Sequence, residues 1–221
     1  MKIEYKIHEI APNIFAVAIE DDYDLAMTFC RAQEYYESPN PDFRGNQFSI
    51  WEFMDWYSRK RNGSFTYPSD WGGFNVPFDV LNECYLGLRE IESPYDIAMI
   101  HIISSIRDRM SEGLAYVIGV PDLEGSTFIH EVCHGLYYTN HEYKETANKI
   151  TEDIRNNIPE TYHILSNNLK SMGYTEGVID DEIQAYLTTN WDHSNFGRSI
   201  DNKVKRKLHR EYNKKLEKFL I

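Results

Sequence analysis

Leu114-Ala115-Tyr116-Val117-Ile118-Gly119-Val120, stopped by Pro121, and then Thr127-Phe128-Ile129-His130-Glu131-Val132-Cys133-His134-Gly135-Leu136 are the two runs from which the fold can be read. The first is short, apolar and closed by a proline, the mark of a buried strand. The second has apolar residues at helical spacing behind Ser126 or Thr127, either of which can cap it. Asp122-Leu123-Glu124-Gly125 is a short link between them. Strand, link and helix predict a fold that uses both kinds of element.

The helix carries chemistry on one side. At 3.6 residues per turn, Glu131 falls about 100° and His134 about 40° from His130. Ile129, Val132 and Leu136 fall between about 200° and 260°, on the opposite face. Two imidazoles one turn apart can grip one metal ion. The neighbouring Glu can then hold the water that such an ion activates. Cys133 lies beside the apolar side and reads as a small buried residue. The plainer alternative is two surface histidines on an amphipathic helix.

Outward from this point, residues 3–19 read as one or two strands, with Pro12-Asn13 as the break. Residues 22–37 read as a helix and 38–48 as a loop. Ser49 caps a helix carrying Ile50, Phe53, Met54 and Tyr57. Asn62-Gly63 ends it as a left-handed cap, or turns a hairpin. Residues 64–77 hold four aromatics, two prolines and a Gly pair, and read as a loop. That loop is either a binding rim or a segment folded onto the core by its aromatics. Pro77 opens a helix through Leu88, and Ser93-Pro94 opens another with Met99, Ile102, Ile103, Ile106 and Met110 as its buried stripe.

After the motif the pattern is helical at 142–158, 160–172, 177–190 and 200–220. In the last, Ile200, Val204, Leu208, Tyr212, Leu216 and Leu220 recur every four residues. Each such step overshoots a turn by about 40°, so the stripe should wind around the helix.

The chain has 221 residues, 42% hydrophobic and 26% charged, which suits a single globular domain. No apolar run is long enough to span a bilayer, and the N-terminus lacks the apolar stretch of a signal peptide. Cys30, Cys84 and Cys133 are widely spaced and odd in number, which argues for a reducing compartment, hence the cytoplasm, and against a cysteine metal site. The net charge of -12 disfavours binding to nucleic acid or to an anionic membrane. From Gly197 on, nine Lys or Arg face three Asp or Glu, a net of +6. The rest therefore carries -18. The basic segment reads as a solvated helix face beside an acidic body, with a local polyanion site as the alternative.

His130-Glu131-Val132-Cys133-His134 resembles the active helix of the zincin metallopeptidases. The resemblance covers the motif region and one later helix. It implies an α+β fold: a predominantly helical zincin-like domain over 1–221 with a small β-sheet preceding the active-site helix. The N-terminal α+β part spans about 1–120 and the helical C-terminal part about 126–221. It also implies Zn²⁺ held by His130 and His134, with Glu131 as general base. The metzincin pattern needs Gly at 137 and His at 140, where this chain has Tyr137 and Asn140. The gluzincin pattern takes a Glu from a later helix. Asp180-Asp181-Glu182-Ile183-Gln184-Ala185-Tyr186 offers Glu182, at the border of a buried face where an uncompensated acid costs desolvation. Asp181 stands behind it as a ligand, then His141, His163 and His193. On the helical wheel Asp180, Asp181 and Gln184 point away from the buried side.

The position four after Glu182 is Tyr186, not the Asp that usually orients a ligand histidine, so Tyr186 or an acid elsewhere must do so. Tyr138, Tyr162, His163, Tyr186 and His193 are all suited to stabilise an oxyanion. The expected activity is hydrolysis of a peptide or protein substrate, with Tyr186 and Glu131 as catalytic residues. The alternative is a non-catalytic binding protein on the same scaffold. It draws on the aromatic loop, the basic helix and the missing orienting Asp. No nucleic-acid or membrane partner is expected.

Overall fold

The structure, a computed structural model, describes residues 2–189 and 195–220. It is α+β and predominantly helical, with one four-stranded mixed sheet. The chain divides into two compact units, Met1–Leu123 and Glu124–Ile221.

In the first unit, strands β1 (Lys6–Ala11) and β2 (Ile14–Ala18) form an antiparallel pair. The break at Pro12-Asn13 is the turn between them. Asn13 takes a positive φ of 61°. Its side chain accepts from Ser111 N at 2.8 Å, and its carbonyl accepts from Tyr116 N at 2.9 Å. One turn residue thus ties the hairpin to the segment leading into the central strand. Helix α1 (Asp22–Glu37) is capped by Asp21, and α2 (Ile50–Lys60) by Ser49 in a reciprocal box with Glu52. Asn62 and Gly63, with φ of 57° and 87°, end α2 as a left-handed cap, not a hairpin.

The expected loop over 64–77 contains a short helix, α3 (Tyr67–Asp70), and a strand, β3 (Phe74–Pro77). Tyr67 and Phe74 are buried and stacked, with ring centroids 6.1 Å apart. Tyr57 donates to Asp70 Oδ2 at 2.5 Å. Trp71 alone of the four aromatics is largely exposed, at 45%. The aromatics therefore fold the segment onto its own core. Pro77 ends β3, an edge strand, where a missing N–H is tolerated. Helices α4 (Phe78–Leu86) and α5 (Pro94–Arg107) follow, α5 behind a Ser93 capping box. Met99, Ile102, Ile103 and Ile106 are buried on α5 as the spacing predicts.

Strand β4 (Tyr116–Val120) is buried throughout and central, in the order β1-β2-β4-β3, parallel to β2 and antiparallel to β3. Phe29 of α1 lies so close over Gly119 that a Cβ there would meet its ring at 2.5 Å. Arg31, also on α1, is fully buried. It bonds Asp96 at 2.9 Å, Glu92 at 2.7 Å, and the Phe48 carbonyl.

The second unit is helical: α6 (Gly125–Thr139), α7 (His141–Asn157), α8 (Pro159–Met172), α9 (Ile179–Thr188), α10 (Asn202–Leu208) and α11 (Lys214–Glu217). A π-helical turn, His209–Asn213, joins α10 to α11. This corrects the expected winding stripe. A π-turn takes more residues than an α-turn, so a four-residue step falls short there and offsets the overshoot on either side. Leu208, Tyr212 and Leu216 are all buried. The cations of this segment are largely exposed, with one pairing across to α7, Lys218 to Glu142 at 2.9 Å. Among the described residues no helix is long and apolar enough to cross a membrane.

Candidate metal centre

The motif helix begins two or three residues earlier than a cap at Ser126 or Thr127 would start it, with Glu124 in the capping position. Gly125 turns the chain into α6 with a φ of 82°, and neither Ser126 nor Thr127 is the cap. Residues 124–127 are exposed, and so is Ile129 at 36%, which the helical wheel places on the buried face. Cover begins further along: Glu131, Val132, Cys133, His134, Gly135 and Leu136 are all buried. The buried part is thus not a single apolar stripe. The side bearing His134 packs against α9 as well.

On that side three ligand-type groups converge. His130 Nε2 and His134 Nε2 are 3.2 Å apart. Glu182 sets Oε2 at 3.5 Å from His130 Nε2 and Oε1 at 3.5 Å from His134 Nε2. Two ligands each about 2.0–2.1 Å from a tetrahedral zinc stand about 3.3 Å apart, so the set has the right size. Among the described residues this is the one group of three or more His, Cys, Asp or Glu that can hold a metal ion. Glu182 Oε2 is buried with no hydrogen-bond partner. A buried carboxylate oxygen left so is costly unless a cation answers it. The residues present therefore fit a metal ion.

Asp181, the second choice as ligand, lies elsewhere. Its Oδ1 is 3.0 Å from His134 Nδ1, on the far side of the ring from the cluster. It is the acid that orients the histidine, the role left open at Tyr186. Gln184 is fully buried and donates from Nε2 to the same Asp181 oxygen at 2.8 Å. The wheel turned both outward because it allowed α9 one buried face. Helices α6, α7 and α8 all pack on α9, so Glu182, Gln184, Ala185 and Thr188 are buried along with Ile179 and Ile183. Asp180 is on the rim and pairs with Arg155 at 2.7 Å. His141 and His163 are exposed and outside the cluster, and His193 lies outside the described residues.

Tyr186 sits at the other end of the site. Its ring meets His130 edge-on at 4.6 Å and stacks on Phe196 at 4.6 Å. Asn168 holds that segment by donating to the carbonyls of Phe196 and Arg198, each at 2.8 Å. Tyr174 hydrogen-bonds Tyr186 and feels the charges of Glu182 and Glu131. Burial, then those neighbours, push its phenol well up. Burial raises Tyr186 too, partly offset by the Tyr174 bond. Both phenols therefore keep their protons at neutral pH. Tyr162 is engaged instead with Arg155 and Asp180. Tyr174 had no signal in the sequence beyond its place after the helix-ending Gly173.

Desolvation would depress His134. Asp181, Glu182 and Glu131 outweigh it and hold the metal-free imidazole well above its ordinary value. Three carboxylates around two imidazoles make a site electrostatically prepared for a cation. Comparison of the chain with family models, curated proteins and solved structures finds no match.

Proposed function

We propose that this chain is a zinc-dependent peptidase of gluzincin type, acting on a peptide or protein substrate. The observation that carries the reading is the convergence of His130, His134 and Glu182 around an unpartnered buried carboxylate oxygen. These three would hold the ion. Bound there, zinc acts as a Lewis acid that acidifies water and polarises a carbonyl. Glu131, next to His130 on the same helix, takes the proton of the attacking water and returns it to the leaving amine. Tyr186, protonated and beside His130, donates to the carbonyl oxygen as it gains charge, with Tyr174 holding the Tyr186 hydroxyl. Asp181 holds His134 by Nδ1, so that Nε2 is the ligand atom.

The alternative of a binding protein on this scaffold loses two of its motives. Asp181 supplies the orienting acid, and most of the aromatic segment packs into its own unit. We place the protein in the cytoplasm, where three buried unpaired thiols stay reduced.

The test is metal analysis of purified protein beside peptide hydrolysis by wild type and Glu131→Gln. The expected result is retained zinc in both and a rate roughly 10²–10⁴-fold lower in the variant. A wild type that takes up no metal, or equal hydrolysis by the two, overturns the proposal.

A further inference from the structure

We infer that Tyr143 and Gln184 are positioning residues that fix, through Asp181, the nitrogen His134 presents to the candidate metal centre. The inference rests on the metal-site reading above. Tyr143 on α7 and Gln184 on α9 are both fully buried. The Tyr143 hydroxyl donates to Gln184 Oε1. Gln184 Nε2 donates to Asp181 Oδ1 at 2.8 Å, and that oxygen meets His134 Nδ1 at 3.0 Å.

The polarity of this chain has one consistent direction. An ionised carboxylate only accepts, so the amide must turn its NH₂ toward Asp181. Its carbonyl then faces Tyr143, whose hydroxyl is the donor. At the other end, Asp181 draws the Nδ1 hydrogen of His134. In the neutral ring that a metal ion would bind, the Nε2 lone pair is then the one that faces the cluster, where Nε2 stands 3.5 Å from Glu182 Oε1.

The same device grips the motif helix twice. The second hold is on Cys133, the residue before His134. Cys133 Sγ is 2.8 Å from Thr188 Oγ1. Asp181, Gln184 and Thr188 recur at helical spacing and make one polar face of α9, in which Gln184 and Thr188 are buried and Asp181 is half-buried. A buried amide costs stability unless both its ends are paired. Here each end has one partner, and the chain ends on the imidazole.

The experiment compares wild type, Gln184→Leu, Tyr143→Phe, Asp181→Ala and Asp181→Ala/Gln184→Leu, all stripped of metal. Zinc affinity is read by competition with a chromophoric chelator. Site geometry is read from the visible absorption of added Co²⁺, and folding from circular dichroism. Gln184→Leu is expected to weaken zinc binding roughly 10–100-fold and to shift the cobalt bands. Tyr143→Phe, which removes one oxygen, should weaken it severalfold. In the Asp181→Ala background Gln184→Leu should cost nothing further, because its effect runs through Asp181. If Gln184→Leu does not fold, Tyr143→Phe is compared in the same two backgrounds. Unchanged affinity and cobalt spectrum in the variants, or losses that simply add, overturn the positioning role while zinc binding by wild type stands. A wild type that binds neither ion overturns the metal-site reading itself.

Discussion

Two of the buried polar clusters among the described residues are built on opposite principles. In the first unit Arg31 meets Asp96 and Glu92, and its remaining donor reaches the Phe48 carbonyl. Asp96 also accepts from the backbone N–H groups of Glu92 and Ser93, each at 3.0 Å. One guanidinium serves both acids, so each charged group has an opposite partner within the chain. In the second unit Glu131, Asp181 and Glu182 surround two imidazoles, and Glu182 Oε2 is left without a hydrogen bond. The first cluster is complete as folded. The second leaves one buried carboxylate oxygen unanswered, which a cation would satisfy. That difference separates a structural ion network from a candidate site better than burial, which the two share.

The comparison breaks most severely if Arg31 is removed. Arg31→Met leaves Asp96 and Glu92 without their counter-charge, one of them fully buried. Breaking a buried pair from one side costs about 3–5 kcal/mol. Urea unfolding should show a loss of that order, and the same loss with or without added zinc. A variant as stable as wild type would show that the network is not what holds α1 to α5.

The second cluster should respond to metal where the first does not. A ligand that binds only the folded state stabilises it by about 2.7 kcal/mol at a hundredfold excess over its Kd. Thermal unfolding of the wild type should therefore rise with zinc and fall back with chelator. Glu182→Ala should abolish the response, while Arg31→Met keeps it. A wild-type melting temperature indifferent to zinc would remove the distinction between the clusters.

The contrast also explains what could be read from the sequence. Signals confined to a few neighbouring residues were legible. Ser49 and Ser93-Pro94 read as helix starts, and both open helices in the structure, each in a box with the acid three residues on, Glu52 and Asp96. The run 114–120 holds the central strand, and His130, His134 and Glu182 lie together. Features that depend on distant partners were not. β3 has four residues, from just after the Gly pair to Pro77 itself, and exists because β4 is there to pair with it. Asp181 and Gln184 look solvent-facing on a wheel that allows one buried side, but three helices surround α9. Ile129 fails the other way, since an apolar residue at the right angle is buried only if something covers that turn. The π-turn at 209–213 hides in a four-residue repeat that an α-helix alone would have wound.

The finest difference between the clusters lies in acid. Burial alone would raise the Glu92 carboxyl. Arg31, the Ile50 backbone N–H and Ser49 more than offset this and hold it below its ordinary value. A carboxyl depressed by folding releases its proton more readily in the native state, so its contribution is full above the unfolded value. That contribution fades as pH falls below about 4.5, the ordinary carboxyl value, and through the depressed one. Unfolding measured from pH 6 down to pH 3 should therefore be steeper in wild type than in Glu92→Gln. The two curves should converge at the acid end, where the wild-type carboxyl is itself neutral. Parallel curves would mean that Arg31 gains nothing from the Glu92 charge. Asp96 would then carry the network, and the neutralisation that sets the first cluster apart would be a matter of one acid instead of two.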